Sequence, residues 1–233
     1  MVGSAVLTVK ERLVHVSAGS LTIEGNLNLP KGARAVVLFS HGSGSSRHSF
    51  RNRYVARMLN EAKLATLLID LLSTDEEAVD QHTAHLRFDI GLIAGRLVCA
   101  TDWLTRSPDT KHLWIGYFGA STGAAAALVA AAERPQTVHA IVSRGGRPDL
   151  AGVALARVPA PTLLIVGGND VQVIELNRAA LAQLRCERQL VIVPGATHLF
   201  EEPGTLDDVA YLAREWFQRY LISAAEPSSG VSR

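Results

Sequence analysis

Apolar and polar residues along this 233-residue chain fall into two textures. From Leu13 to Pro30, "LVHVSAGSLTIEGNLNLP" alternates apolar and polar positions around Ser17, Gly19 and Ser20. That period of two predicts a half-exposed antiparallel hairpin, with Pro30 closing its second strand. After Gly32 the alternation gives way to continuous runs: "AVVLFS", "ATLLID", "LWIGYF", "HAIVS", "PTLLIVG" and "QLVIVPG". A strand that is apolar on both faces needs cover on both faces, so these runs predict a buried, mostly parallel sheet. Helical stretches over roughly 50–63, 88–105, 122–133, 175–185 and 206–221 separate them. Strand and helix in turn give an α/β, doubly wound sheet with an antiparallel N-terminal hairpin. We expect one domain over residues 1–223, and a disordered tail over 224–233, where "AAEPSSGVSR" is small, polar and broken by proline. The acidic segment 72–87, "LSTDEEAVDQHTAHLR", shows neither period and reads as a solvated loop. Whether it acts as a lid is not legible from its pattern.

Composition narrows the function classes. Apolar residues make up 48% of the chain and charged residues 19%, enough to build a core and too little charge for a disordered protein. A formal net charge of +1 gives no electrostatic reason to expect nucleic acid or an anionic membrane as partner. The two cysteines, Cys99 and Cys186, belong to no Cys-x-x-Cys or Cys/His cluster, so neither a metal site nor a disulfide framework is expected. No apolar stretch approaches the length of a membrane span and the N-terminus lacks a signal-peptide pattern, so the expected location is cytoplasmic.

Candidate chemistry begins at "YFGASTGAAAAL", residues 117–128. Gly119-Ala120-Ser121-Thr122-Gly123 is Gly-x-Ser-x-Gly, placed after an apolar strand and before an alanine-rich helix. In that setting the chain bends sharply and displays the serine, and residues two before and two after must lack bulk. A serine hydroxyl is a weak nucleophile and needs a histidine base oriented by a carboxylate, expected in the chain order serine, acid, histidine. "PTLLIVGGND" ends in Asp170 and "QLVIVPGATH" ends in His198, each just past an apolar strand, in that order. Asp149 in "RGGRPDLAG" is the rival acid. A tetrahedral intermediate also needs two N–H donors. The backbone amide of Thr122 is the first; the second falls in "HGSGSS", with Ser43 chosen, Gly44 close behind, and His41 bracing the loop.

The chain thus resembles an α/β-hydrolase, in particular the dienelactone-hydrolase-like branch, over roughly residues 20–221. The motifs that carry the resemblance are His41-Gly42-Ser43-Gly44, Gly119 to Gly123, Gly168-Asn169-Asp170 and Gly195-Ala196-Thr197-His198. It implies hydrolysis of a small carboxylic ester or related acyl compound without a cofactor. Dienelactone hydrolases proper use a cysteine nucleophile, so Ser121 argues against carrying over lactone specificity and points to an esterase or thioesterase. Acyl transfer, or a non-catalytic binding or regulatory role on the same fold, are the alternatives; oligomeric state is not read from the sequence. The stretch 144–160 is too short for a helical cap domain, which predicts an open cleft. Arg47, His48, Arg144 and Arg147 follow strand ends near that cleft. Arg47 and Arg144 are candidates to bind an anionic substrate group, against the alternative of pairing with the acidic segment 72–87 or with Asp149.

Overall fold

The computed structural model describes residues 11–222. Strands β1 (Arg12–Ala18) and β2 (Leu21–Asn28) form the hairpin, with Arg12 opposite Leu27 and Ala18 opposite Leu21. Val14, Val16 and Ala18 turn inward while Leu13, His15 and Ser17 face out, as the alternation requires. Six further strands follow: β3 (Ala35–Ser40), β4 (Ala65–Ile69), β5 (Trp114–Ala120), β6 (Val138–Arg144), β7 (Thr162–Gly167) and β8 (Arg188–Val193). The sheet runs β1-β2-β4-β3-β5-β6-β7-β8, parallel from β4 onward and antiparallel at β1–β2 and β2–β4.

Helices α1 (Phe50–Glu61) and α6 (Thr205–Phe217) cover one face, closing over Val37, Phe39, Phe118 and Val142. On the other face α3 (Ile90–Arg106), α4 (Thr122–Glu133) and α5 (Val171–Gln183) cover Val36, Leu38, Tyr117 and Ile141. Burial on both faces explains why these strands read as unbroken apolar runs. Ala124 to Ala127 are fully buried, so α4 lies close against the sheet. The connection 145–160 holds two short 3-10 helices over Pro148–Arg157, joined at a kink at Gly152, and no cap domain is inserted there.

Two expectations shift. The fifth helix begins at Val171, directly after Asp170, rather than near 175. Segment 72–87 is not a plain loop: it holds α2 (Thr74–Thr83) and a single 3-10 turn at Leu86–Phe88. Ser73 and Glu76 cap α2 reciprocally, each side chain bonded to the other's backbone N–H. This capping box satisfies two orphan donors and offsets an otherwise polar sequence. The expected tail at 224–233 lies outside the described residues.

Strand order fixes where a site forms. The chain leaves β3 toward β4 on one side and returns to β5 on the other, so the loops after β3 and β5 diverge at the carboxyl edge and leave a crevice between them.

Candidate active site

Ser121 stands at the end of β5 with φ 51° and ψ −126°, a region costly for any residue with a side chain. The neighbouring strand holds it there. Its amide donates to Arg144 O (3.3 Å), and its carbonyl accepts from Arg147 N (3.0 Å) and Ala124 N (3.1 Å). Close approach dictates the two motif glycines: a Cβ at Gly119 would lie 2.5 Å from Ala124 Cα, and one at Gly123 would lie 2.4 Å from the carbonyl oxygens of Ser40 and His41. Any larger residue would push the helix off the sheet.

Asp170 and His198 project from the loops after β7 and β8, and His198 Nδ1 lies 2.6 Å from Asp170 Oδ2. An acceptor at that distance places the proton on Nδ1 and leaves Nε2 free to take another. The two loops are stitched by Gly168 N to Val193 O (2.8 Å), Asn169 N to Ala196 O (2.9 Å) and Asn169 Nδ2 to Gly195 O (2.8 Å). Gly145, beside the elbow, faces the same histidine: a Cβ there would stand 3.0 Å from His198 O and 3.6 Å from its Cε1. The His198–Asp170 pair therefore lies beside Gly145, at the end of the sheet where the elbow stands. Asp149 is held by Arg147 through two bonds of 2.9 and 2.8 Å.

The loop after β3 abuts the elbow from the other side. A Cβ on Gly42 would lie 3.0 Å from Ser121 Cβ and 3.7 Å from its Oγ. His41 anchors this loop, because its Nε2 accepts from Leu71 N (3.2 Å) and its Nδ1 then donates to Gly42 O (2.9 Å). Burial holds the His41 pKa below the ordinary value, keeping the ring neutral as that bonding requires. The Ser43 amide donates to Thr122 Oγ1 (3.1 Å), an arrangement that the sequence did not foretell. Next to the loop is a cavity of about 220 Å³ walled by Gly42 to Ser46, Leu71, Leu72, Glu77, Gln81 and Arg87.

The four basic residues separate. Arg47 is committed: its guanidinium pairs with both Asp70 and Glu24, and its amide donates to Asp70 Oδ1 (2.8 Å). Arg147 is taken up by Asp149, and His48 is exposed. Arg144 is 7% exposed, and its Nε and Nη1 are enclosed without a hydrogen-bond partner. Desolvation, with Arg51 adding like-charge repulsion, pushes its pKa down to about 10, so it remains charged at neutral pH. Sequence reasoning passed over Asn177, buried on α5, whose Nδ2 donates to Gly146 O (3.0 Å) and Val173 O (2.8 Å) and so holds the turn after β6. Its only signal was an amide within an otherwise apolar helix face. Among the described residues no group of three His, Cys, Asp or Glu side chains is placed to hold a metal ion, and no helix is long and apolar enough to cross a membrane.

Comparison with known proteins places this geometry. A dienelactone hydrolase from Anabaena variabilis is 66% identical, with a TM-score of 0.90 over 91% of this chain and 98% of that one. A lidless α/β serine hydrolase from Xanthomonas campestris, 20% identical, shares the fold at a TM-score of 0.71 over 96% of this chain and all of that one. A putative phosphoribosyl transferase of Mycobacterium tuberculosis H37Rv is 57% identical over 213 residues, 91% of this chain and 47% of the relative. The chain spans about half the length of that curated relative. Residues 23–222 match the dienelactone hydrolase family, the sheet and elbow agree with it, and the chain belongs to that family.

Proposed function

We propose that the protein is a serine hydrolase of small carboxylic esters or thioesters, working through an acyl-enzyme on Ser121. The observation that carries this reading is the 2.6 Å contact between His198 and Asp170, facing an elbow whose serine is held at positive φ. In the reaction, His198 Nε2 takes the Ser121 hydroxyl proton as Oγ bonds to the acyl carbon. The tetrahedral intermediate places its negative charge on the former carbonyl oxygen, where the backbone amides of Thr122 and Ser43 serve as donors. Its collapse expels the alcohol or thiol, which leaves with the proton from His198. Water then repeats the sequence on the acyl-enzyme, releasing the acid and restoring Ser121. Asp170 keeps the imidazole in the Nδ1–H tautomer and stabilises it when charged.

Arg144 is the proposed seat for an anionic substrate group. A guanidinium buried with no ion pair among the described residues carries a desolvation cost that an incoming carboxylate or phosphate would offset. Arg47, the other sequence candidate, is tied to Asp70 and Glu24, partners other than the acidic segment or Asp149 weighed for it, and this pairing supports a structural role. Phosphoribosyl transfer is not carried over to this chain, because the relatives so named are about twice as long.

A fluorophosphonate probe and p-nitrophenyl acetate test the reading together. Wild type should be labelled on Ser121 and should hydrolyse the ester, and Ser121→Ala should lose both while remaining folded by circular dichroism. Label or turnover that persists in Ser121→Ala overturns the assignment.

A further inference from the structure

The Ser43 amide has a partner already. It points at Thr122 Oγ1 (3.1 Å), the two hydroxyl oxygens stand 2.8 Å apart, and Ser43 Oγ lies 3.4 Å from Arg87 O. A carbonyl only accepts, so Ser43 Oγ donates to Arg87 O; the Thr122 hydroxyl then donates to Ser43 Oγ and accepts the Ser43 amide. Every proton is used, and the chain of bonds runs one way, from the elbow to segment 84–88. Arg87 is itself clasped by Asp80, whose buried carboxylate accepts from Leu86 N (2.7 Å), Arg87 N (3.2 Å) and Arg87 Nε (2.5 Å). The same Ser43, Asp80 and Arg87 wall the 220 Å³ cavity beside the elbow.

We infer that Thr122 is a positioning residue: its hydroxyl seats the oxyanion loop on the elbow and, through Ser43, couples that loop to the Asp80–Arg87 clasp. The inference rests on the serine-hydrolase reading. Two amides, one on Thr122 and one on Ser43, must converge on a single substrate oxygen. The first is fixed by the helix it starts. The second lies in a loop of small residues, with Gly44 at φ 67°, that has few side chains to hold it and much backbone entropy to lose. A hydroxyl on the residue that bears the first amide is a direct way to orient the second. An ester carbonyl that enters then meets a Ser43 N–H already aimed, and its oxygen shares the donor with Thr122 Oγ1.

The test pairs amide hydrogen exchange at Ser43 with ester kinetics in Thr122→Val, Thr122→Ser and Asp80→Asn. Valine keeps the shape and removes the acceptor, so Ser43 exchange should rise about tenfold or more, and kcat should fall by about the same factor while KM stays within about twofold. Thr122→Ser should restore both to within about threefold. Asp80→Asn should raise Ser43 exchange less than valine does. Unchanged Ser43 exchange or kcat in Thr122→Val, a loss confined to KM, or a serine variant that does not restore, would each overturn the inference. Should Thr122→Val fail to fold, Thr122→Ala takes its place under the same criteria. The two readings fail separately: a wild type with no ester turnover and no label defeats the hydrolase reading, whereas unchanged Ser43 exchange in Thr122→Val defeats only the positioning role.

Discussion

Two arms flank Ser121, and ion pairs weigh differently in them. The proposed acid–base arm, formed by the loops after β7 and β8, is stitched mainly by neutral bonds from Gly168 and Asn169 to the backbone of residues 193–196, with the Glu202 carboxylate accepting from Thr197 N (3.0 Å) and Thr197 Oγ1 (2.6 Å). The proposed oxyanion arm, formed by the loop after β3 and segment 70–88, combines neutral bonds, between His41 and Leu71 and between Ser43 and Thr122, with several ion pairs. Arg47 joins Asp70 and Glu24, Arg87 joins Asp80, and Arg96 joins Glu76 at 2.5 Å. Backbone bonds do not titrate in the working range and are little screened by salt. Ion pairs respond to both. The loop after β3 is thus the more heavily ion-paired of the two supports.

The strongest way to break the comparison is to strike the acid–base arm. His198→Ala and Asp170→Asn should each lower kcat by about three to four orders of magnitude, and the double variant should lose little more, since the groups act as a unit. Asp149→Asn should stay within about tenfold of wild type, because its carboxylate serves Arg147 rather than His198. Steady-state kinetics on one activated ester decides, and a crippled Asp149→Asn beside a tolerated Asp170→Asn would reverse the assignment.

Gly123→Ala comes next and tests the elbow that both arms share. An added Cβ 2.4 Å from the Ser40 and His41 carbonyl oxygens has no flexible group to displace. Stability should fall by about 3 kcal/mol, read from urea denaturation. Asp70→Asn strikes the oxyanion arm alone. Stripping Arg47 of one partner should cost about 1.5 kcal/mol and accelerate amide exchange at Arg47 and Leu71 while Asn169 keeps its protection.

Acid sharpens the contrast further. Burial lowers the His41 pKa, so below about pH 6.5 the unfolded chain binds a proton that the folded one refuses. The stability from this group is present above that pH and is lost as pH falls toward the folded pKa, by at most about 1.4 kcal/mol per unit. His41→Gln should flatten that part of the urea-derived pH profile. The smallest effect is that of salt. Raising NaCl to about 1 M should speed exchange of the Leu86 and Arg87 amides by under about threefold, and leave Asn169 unchanged.

Much of this architecture was legible in the chain because it depends on local, repetitive constraints. Continuous apolar runs marked the buried strands, and the hairpin showed its alternation. Gly-x-Ser-x-Gly announced a turn that tolerates no bulk at Gly119 and Gly123. Even α2, read as a solvated loop, left a trace in Ser73 and Glu76, whose spacing is that of a capping box. Its polar composition hid the helix, since periodicity detects only faces that are buried.

What the sequence by itself determined is the α/β sheet, the elbow, and the order in which Ser121, Asp170 and His198 arrive at strand ends. These follow from short-range sterics and from the two periods of burial. Only the tertiary structure decided the fate of side chains whose partners are remote in the chain. Arg47 and Arg144 look alike in sequence, each just past a strand. In space Arg47 meets Asp70 and Glu24, whereas Arg144 is buried with no carboxylate in reach of its Nε or Nη1. Likewise 79 positions separate Ser43 from Thr122, and they become hydrogen-bonded neighbours because the sheet order places β3 beside β5. Charge pairing and hydrogen bonding act within a few ångströms, and which groups come within that range is set by the topology of the sheet rather than by any local pattern.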